Sequence, residues 1–421
     1  MTITVSGTLS GMVQVPPSKS VAHRMLICAA LADEPCTIVC HSINRDMEAT
    51  AACLNALGAN ISYDGGIFRV TPISKSTCGA TLDCGESGST LRFLLPVAAA
   101  LGADAVFTGQ GRLPERPLSP LYEEMTAHGV KMSANGHMPL ICQGTLPAGN
   151  YTIDGGVSSQ FISGLLMALP LSGKESTITI TGHLESASYI GLTLNALRTF
   201  GIEVEQTDNG YRIPGGQRYV TPATKVAVEA DWSGAAFWIV AGVAGSKSIT
   251  CKGLDYQNSA QGDRRIIDVL RHMGADILST PDSVTAHPSN LTGCVIDCAD
   301  IPDLVPVLAV AAATAQGTTM FDNIKRLRIK ESDRVESILK MLSGAGISAY
   351  ATDNTLSVTG GPAHSFCYDP SNDHRMAMAA AILASVKNIS VTITDAECTS
   401  KSYPAFFDDF NALGGSIRID N

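Results

Sequence analysis

The feature that most constrains how this 421-residue chain can fold is a glycine that returns at a nearly fixed interval. A helical pattern closes at Gly58, after Leu54-Asn55-Ala56-Leu57. The same punctuation recurs at Gly129, Gly201, Gly274, Gly346 and Gly414, about every 70 residues. That interval is longer than a solenoid repeat and suits one compact α/β unit. Each unit reads as a β-type run, a polar loop, an amphipathic helix, the glycine and a second strand. Thr177-Ile178-Thr179-Ile180 and Ser390-Val391-Thr392-Ile393 are such runs; Ile202-Glu203-Val204 and Ile417-Arg418-Ile419 are such second strands. Six copies imply two lobes of three. The boundary falls near Val226 to Ala236, where an alternating strand runs into Asp231-Trp232-Ser233-Gly234. Ile3-Thr4-Val5 precedes the first repeat and finds no partner in it, which leaves the second lobe as the candidate.

Charged residues make up only 16% of the chain and hydrophobic ones 45%, the balance of a large, well-buried globular protein. A net charge of −10 and a pI near 5.4 argue against nucleic acid or an acidic membrane as partner. Anionic ligands must therefore be drawn in by local clusters. The start of the chain lacks the pattern of a signal peptide. The longest apolar run, Phe93 to Phe107, is broken by Pro96, Gly102 and Asp104. Twelve cysteines lie singly in apolar segments with no zinc-site spacing, so buried free thiols in a reducing cytoplasm are expected.

Local clusters do occur, and they lie in the loops. Arg328-Ile329-Lys330-Glu331-Ser332-Asp333-Arg334 holds three cations and two carboxylates ahead of an amphipathic helix through Val335, Ile338, Leu339 and Leu342. With Ser332 or Asp333 as N-cap, Lys330, Glu331 and Arg334 come to a helix N-terminus, which favours bound anions. Pro17-Ser18-Lys19-Ser20, continuing through His23 and Arg24, repeats the theme, and Gly85-Glu86-Ser87-Gly88 is a tight strand-to-helix turn. Gly109 to Pro117 carries Arg112 and Arg116 between glycines and prolines, as a closing phosphate clamp would. Val157-Ser158-Ser159-Gln160-Phe161 sets neutral donors at a helix start, with Ser186 and Tyr189 in the matching loop of the next repeat. Asp300 and Asp303 precede an apolar helix, as caps or as a general base. Asp373-His374-Arg375 and Thr399-Ser400-Lys401 put further cations at expected helix starts. Taken singly, Arg328 to Arg334 reads first as an ion-paired helix start, Gly85 to Gly88 as a tight turn and Gly109 to Pro117 as a surface loop, and only Ser158-Ser159-Gln160 leans to function; their recurrence favours anion binding.

Taken together and in this order, these motifs resemble the 5-enolpyruvylshikimate-3-phosphate synthases, a family of enolpyruvyl transferases. The resemblance covers essentially the whole chain. Its most specific pieces are Arg328 to Arg334 and Asn372-Asp373-His374-Arg375-Met376-Ala377. It implies an α/β (α+β) fold of two lobes with six βαβαββ-type units. Residues 19–229 would form one lobe, and 1–18 with 230–421 the other, with the active site in the cleft. It also implies transfer of the enolpyruvyl group of phosphoenolpyruvate to the 5-hydroxyl of shikimate 3-phosphate. Phosphate is released by addition and elimination through a tetrahedral intermediate. Carried over residue by residue, Ser158, Ser159, Ser186 and Lys330 would hold the shikimate phosphate, and Ser20 and Arg24 its carboxylate. Tyr189 would pack by the ring, and Gln160 would reach both substrates. Arg334 and Arg375 would clamp the phosphoenolpyruvate carboxylate. Lys19, Arg116, Lys401 and the Gly88 amide would hold its phosphate. Asp303, with Lys19 nearby, is the implied base and Glu331 the implied acid. The flanking cations should lower the Glu331 pKa, against that acid role.

Two positions depart from the family pattern. Glu86 replaces a frequent asparagine beside Gly88, and Arg326 stands where some relatives contact the shikimate, so that contact is not carried over. Gly88 keeps the small residue associated with glyphosate sensitivity. The sister enzyme acting on UDP-N-acetylglucosamine is the nearest alternative, but it carries a cysteine in the mobile loop, and Gly109 to Pro117 has none. A non-catalytic anion-binding protein of this fold is the second alternative. An RNA-end-processing protein is disfavoured by the acidic pI. No metal or organic cofactor is implied, and a cytoplasmic monomer acting on small molecules is expected.

Overall fold

The computed structural model describes residues 1–133 and 137–420. Two compact units result. Pro17–Val228 forms an N-terminal unit, and Glu229–Asn421 with Met1–Pro16 forms a C-terminal unit.

The recurring glycine ends a helix in every repeat. Its φ is positive each time, from +76° at Gly201 to +113° at Gly58. The next residue returns its N–H to a carbonyl in the last turn, as Ala59 does to Leu54 at 3.0 Å and Ile347 to Leu342 at 2.8 Å. This Schellman ending needs a left-handed residue, which a Cβ disfavours. It stops the helix and aims the chain into a hairpin. A Cβ on Gly129 would meet nothing within 4 Å, so backbone strain there acts alone. Gly129→Ala is expected to destabilise by about 1 kcal/mol and lower Tm by about 2–4 °C, as scanning calorimetry would show.

Among the described residues the strands assemble into six four-stranded sheets of one common order. In the third repeat Asn150–Asp154 runs parallel to Ser176–Thr181, with helix Ser159–Ala168 as the crossover. Helix Ala187–Thr199 then leads to the hairpin Glu205–Thr207 and Gly210–Ile213, whose second strand pairs antiparallel with Ser176–Thr181. Strand, inner helix, strand, outer helix and hairpin make the βαβαββ unit. Three repeats borrow a strand from a distant part of the chain. Val226–Ala227 supplies the first strand of repeat one, parallel to Cys36–Val39. Gly11–Gln14 starts the sheet of repeat four, parallel to Ile249–Lys252. Thr2–Ser6 completes repeat six, with Ile3 opposite both Ile393 and Ile419. The first two additions pair backbone groups that a three-stranded sheet would leave open along an edge, whereas Thr2–Ser6 lies inside its sheet and joins Val391–Ile393 to Ser416–Asp420.

In the C-terminal unit the inner helices Trp232–Ala244, Val305–Thr314 and His374–Lys387 are apolar on almost every face and pack on one another. Such helices belong in a core. Outer helices such as Arg334–Gly344 keep a polar face. In the N-terminal unit Gly164 lets Ser159–Ala168 close onto Gly88–Ala100, because a Cβ there would lie 2.4 Å from the Arg92 carbonyl oxygen. The two parallel strands of a repeat point the same way, so both of its helices begin at the carboxyl ends of the strands. The polar loops of a repeat therefore collect at one edge of its sheet.

The cysteines are free; Cys78 and Cys367 are exposed rather than buried, and Cys294 is half-buried. No helix of the described residues is long and apolar enough to cross a membrane.

Candidate active site

In the C-terminal unit the candidate residues gather at helix starts of repeats five and six. Asp303 lies in the turn before Val305–Thr314. Asp373 caps His374–Lys387 by accepting from the Arg375 N–H at 3.0 Å. Asp333, not Ser332, caps Arg334–Gly344. Ser332 turns inward instead and donates to Asp373 at 3.0 Å. Lys330 and Glu331 precede the cap in a bend after the 3-10 turn Lys325–Ile329 rather than forming the helix start.

Arg334 is the hub. It is 1% exposed and donates through Nε to Asp373 at 2.8 Å, through Nη1 to Asp303 at 2.7 Å and through Nη2 to Glu331 at 2.8 Å. Asp303 also receives Arg375 Nη2 at 3.2 Å, and Lys330 Nζ stands 3.5 Å away. Three cations thus face three carboxylates, and the cluster is close to charge balance by itself. Burial alone would raise the Asp303 carboxyl, but Arg375, Lys330 and Arg334 hold it well below the usual carboxylate range. Burial brings Lys330 down to about 8, with Asp303 opposing and Arg326 adding to the shift. Behind this cluster the buried Asp263 accepts from Ser233, and burial followed by the charge of Asp303 pushes its carboxyl up to about 7.

In the N-terminal unit Lys19 opens the helix Lys19–Ala30 and pairs with Asp46 at 2.9 Å. Arg24, 2% exposed, donates to Thr193 Oγ1 at 2.7 Å and to the carbonyls of Ser20 at 2.6 Å and Tyr189 at 2.9 Å. Its guanidinium also lies 4.8 Å from the Phe93 ring centroid. Every guanidinium nitrogen of Arg24 therefore already binds the framework. Gly88 opens Gly88–Ala100 under the cap Ser87, and a Cβ on it would lie 2.6 Å from Arg116 Nη1. Glu86 turns its carboxyl against Gly111, where a Cβ would meet it at 2.8 Å. Ser158 caps Ser159–Ala168. Gln160 accepts from Arg92 Nη1 at 2.8 Å and donates to Ser89 at 2.9 Å. Ser186, at φ +56°, precedes Ala187–Thr199, which carries Tyr189.

The expected residues thus fall into two sets. Asp303, Lys330, Glu331, Arg334 and Arg375 are joined in one network of the C-terminal unit. Lys401 closes the 3-10 turn Ala396–Lys401 of that unit rather than starting a helix. Lys19, Ser20, Arg24, Gly88, Arg116, Ser158, Ser159, Gln160, Ser186 and Tyr189 belong to the N-terminal unit. Residues to which the sequence reading gave no site role hold them in place: Asp373 for Arg334, Asp46 for Lys19 and Arg92 for Gln160. Asp373 had a legible signal as an acidic residue directly before an apolar helix. Asp46 and Arg92 had none, since their partners are distant in sequence.

Residues 3–410 match the family model described as EPSP synthase (3-phosphoshikimate 1-carboxyvinyltransferase). The 3-phosphoshikimate 1-carboxyvinyltransferase of Clostridium kluyveri is 42% identical over 420 residues, covering 97% of this chain and 96% of that protein. Its counterpart from Clostridium acetobutylicum is 40% identical, with 97% and 96% covered. Among solved structures, the EPSP synthase of Acinetobacter baumannii superposes with a TM-score of 0.81 at 23% identity, over 99% of this chain and 100% of that one. The enolpyruvyl transferase NikO from Streptomyces tendae gives 0.75 at 21%, over 99% and 98%. The two structures support the fold, and the family match and the clostridial relatives decide the kinship. The chain belongs to the EPSP synthase family of transferases.

Proposed function

We propose that the protein transfers the enolpyruvyl group of phosphoenolpyruvate to the 5-hydroxyl of shikimate 3-phosphate and releases phosphate. The observation that carries this reading, in a chain of this family, is the convergence of Arg334, Arg375 and Lys330 on the one carboxylate of Asp303. Two guanidinium groups around a carboxylate form a cradle suited to the carboxylate of the donor. The acceptor hydroxyl oxygen attacks C2 of the donor and gives up its proton, while the methylene carbon gains one. The phosphate then leaves with its bonding electrons, and loss of a methyl proton restores the double bond. Asp303 serves as base and Glu331 as acid in this scheme. With its cations in place Asp303 is a weak base. Anionic substrates that engage Arg375 and Lys330 would relieve that hold and raise its basicity. In the N-terminal unit, Lys19, Arg116 and the Gly88 amide serve the donor phosphate. Ser20, Arg24, Ser158, Ser159, Ser186 and Tyr189 serve the acceptor, and Gln160 serves both. Lys330 and Lys401 act from the C-terminal unit.

Phosphate release from phosphoenolpyruvate, with and without shikimate 3-phosphate, tests the reading. Release only with shikimate 3-phosphate supports it. Release only with UDP-N-acetylglucosamine would transfer the assignment to the sister reaction, and none with either from folded protein would leave an anion-binding protein. Gly88→Ala must displace the Arg116 guanidinium, the flexible end of a side chain, so the fold should survive. Its KM for phosphoenolpyruvate is expected to rise about tenfold in steady-state assays while stability stays unchanged. Inhibition of the wild type by glyphosate belongs to the same reading of Gly88.

A further inference from the structure

A buried string of hydrogen bonds crosses three helices of the N-terminal unit and ends at the glycine turn. His23 Nδ1 lies 2.7 Å from Thr50 Oγ1, which lies 2.6 Å from Thr90 Oγ1. Thr90 in turn donates its hydroxyl to Ser87 Oγ at 2.8 Å, and the Thr90 N–H reaches the same oxygen at 3.2 Å. All four side chains are at most 1% exposed. Ser87 is the cap of Gly88–Ala100, so the string ends where the Gly88 amide begins its helix.

The proton directions follow from counting, because each hydroxyl has one hydrogen. Thr90 gives its hydrogen to Ser87, so its oxygen accepts from Thr50. Thr50 has then used its hydrogen and must accept from the ring of His23. Nδ1 therefore carries the imidazole proton. Nε2 is buried with no hydrogen-bond partner among the described residues. A bare nitrogen there costs less than an orphaned N–H would. Burial, then the charges of Lys19 and Arg24, keep the ring neutral by holding its pKa well below the ordinary value.

The helix Arg45–Ala56 links this string to the other end of the candidate phosphate site. Asp46 and Thr50 lie one turn apart on one face, as do Lys19 and His23 on Lys19–Ala30. The Asp46–Lys19 ion pair and the Thr50–His23 hydrogen bond are thus successive rungs between the same two helices. We infer that His23, through Thr50 and Thr90, is a positioning residue for the donor phosphate: it fixes the cap of the Gly88 helix relative to Lys19. This rests on the proposed roles of Lys19 and the Gly88 amide.

Two measurements test it. Long-range 1H–15N correlation spectra of the substrate-free wild type should show His23 protonated at Nδ1 and bare at Nε2. Thr90→Val keeps the shape of the side chain but breaks the string. It should raise KM for phosphoenolpyruvate roughly three- to tenfold, with kcat and KM for shikimate 3-phosphate nearly unchanged, and Thr90→Ser should restore the wild-type value. Should Thr90→Val fail to fold, Thr50→Val breaks the preceding link and is read the same way. A proton on Nε2, an unchanged KM, or an equal loss with both substrates would overturn the inference. If the wild type turns over no phosphoenolpyruvate, the reaction assignment and the positioning role fall together. With turnover intact, an Nε2 proton or an unchanged KM sinks the positioning role alone.

Discussion

Arg334→Leu is expected to lower the unfolding free energy by about 3–5 kcal/mol and to abolish turnover. The residue is 1% exposed, and its three partners, Asp303, Glu331 and Asp373, would remain as carboxylates without their common counter-charge. Leucine fills part of the space but offers no donor. Arg334→Lys keeps the charge yet cannot span three carboxylates, so it should fall between the two. The loss should depend on pH in a defined direction. The surrounding cations, acting against burial, hold the Asp303 carboxyl below its unfolded value. Its contribution to stability is therefore complete above the unfolded carboxylate pKa of about 4 and is lost as pH falls through the folded pKa. Urea titrations should show the full gap between wild type and Arg334→Leu at neutral pH, narrowing below about pH 4. A gap equally wide at pH 3.5 and pH 7 would refute the electrostatic account and leave only lost packing.

Lys19→Ala is expected to reduce kcat/KM for phosphoenolpyruvate by roughly 10³-fold or more, because it removes a fixed cation from the site proposed for the leaving phosphate. Its stability cost should be smaller than that of Arg334→Leu. Only one carboxylate, Asp46, loses its partner, and the Lys19 side chain keeps 16% of its surface in contact with solvent. Comparing the two variants separates the roles of the two units. Loss of phosphate release in Lys19→Ala with a nearly wild-type unfolding curve would mark a functional cation. Equal losses of activity and stability would mark a structural one, and retained release would remove Lys19 from the proposed site.

Much of the architecture was legible in the sequence because the helix ends are local events. The six glycines sit where a left-handed residue must stop a helix, and that need depends on the backbone within a few residues. The alternation of apolar strands and helices around them is equally local. Asp333 and Asp373 could be read as caps for the same reason, since each acts on N–H groups two or three residues ahead.

What adjacency could not reveal was how the loop charges are used. Arg328 to Arg334 looked like a cationic cluster awaiting an anion. In the fold, Arg334 already binds three carboxylates, two of them from loops 31 and 39 residues away in sequence. Glu86 looked like a negative charge next to Gly88, whereas its carboxyl lies against Gly111. His23, one histidine among nine, joins a string whose other members come from two further helices. Coulomb energy and hydrogen bonding depend on distances in space and on burial, and neither is a function of position along the chain. The sequence by itself determined the repeat, the helix ends and the stock of charged groups at the loops. Only the tertiary structure decided which charges neutralise one another, because that requires the loops of different repeats to meet.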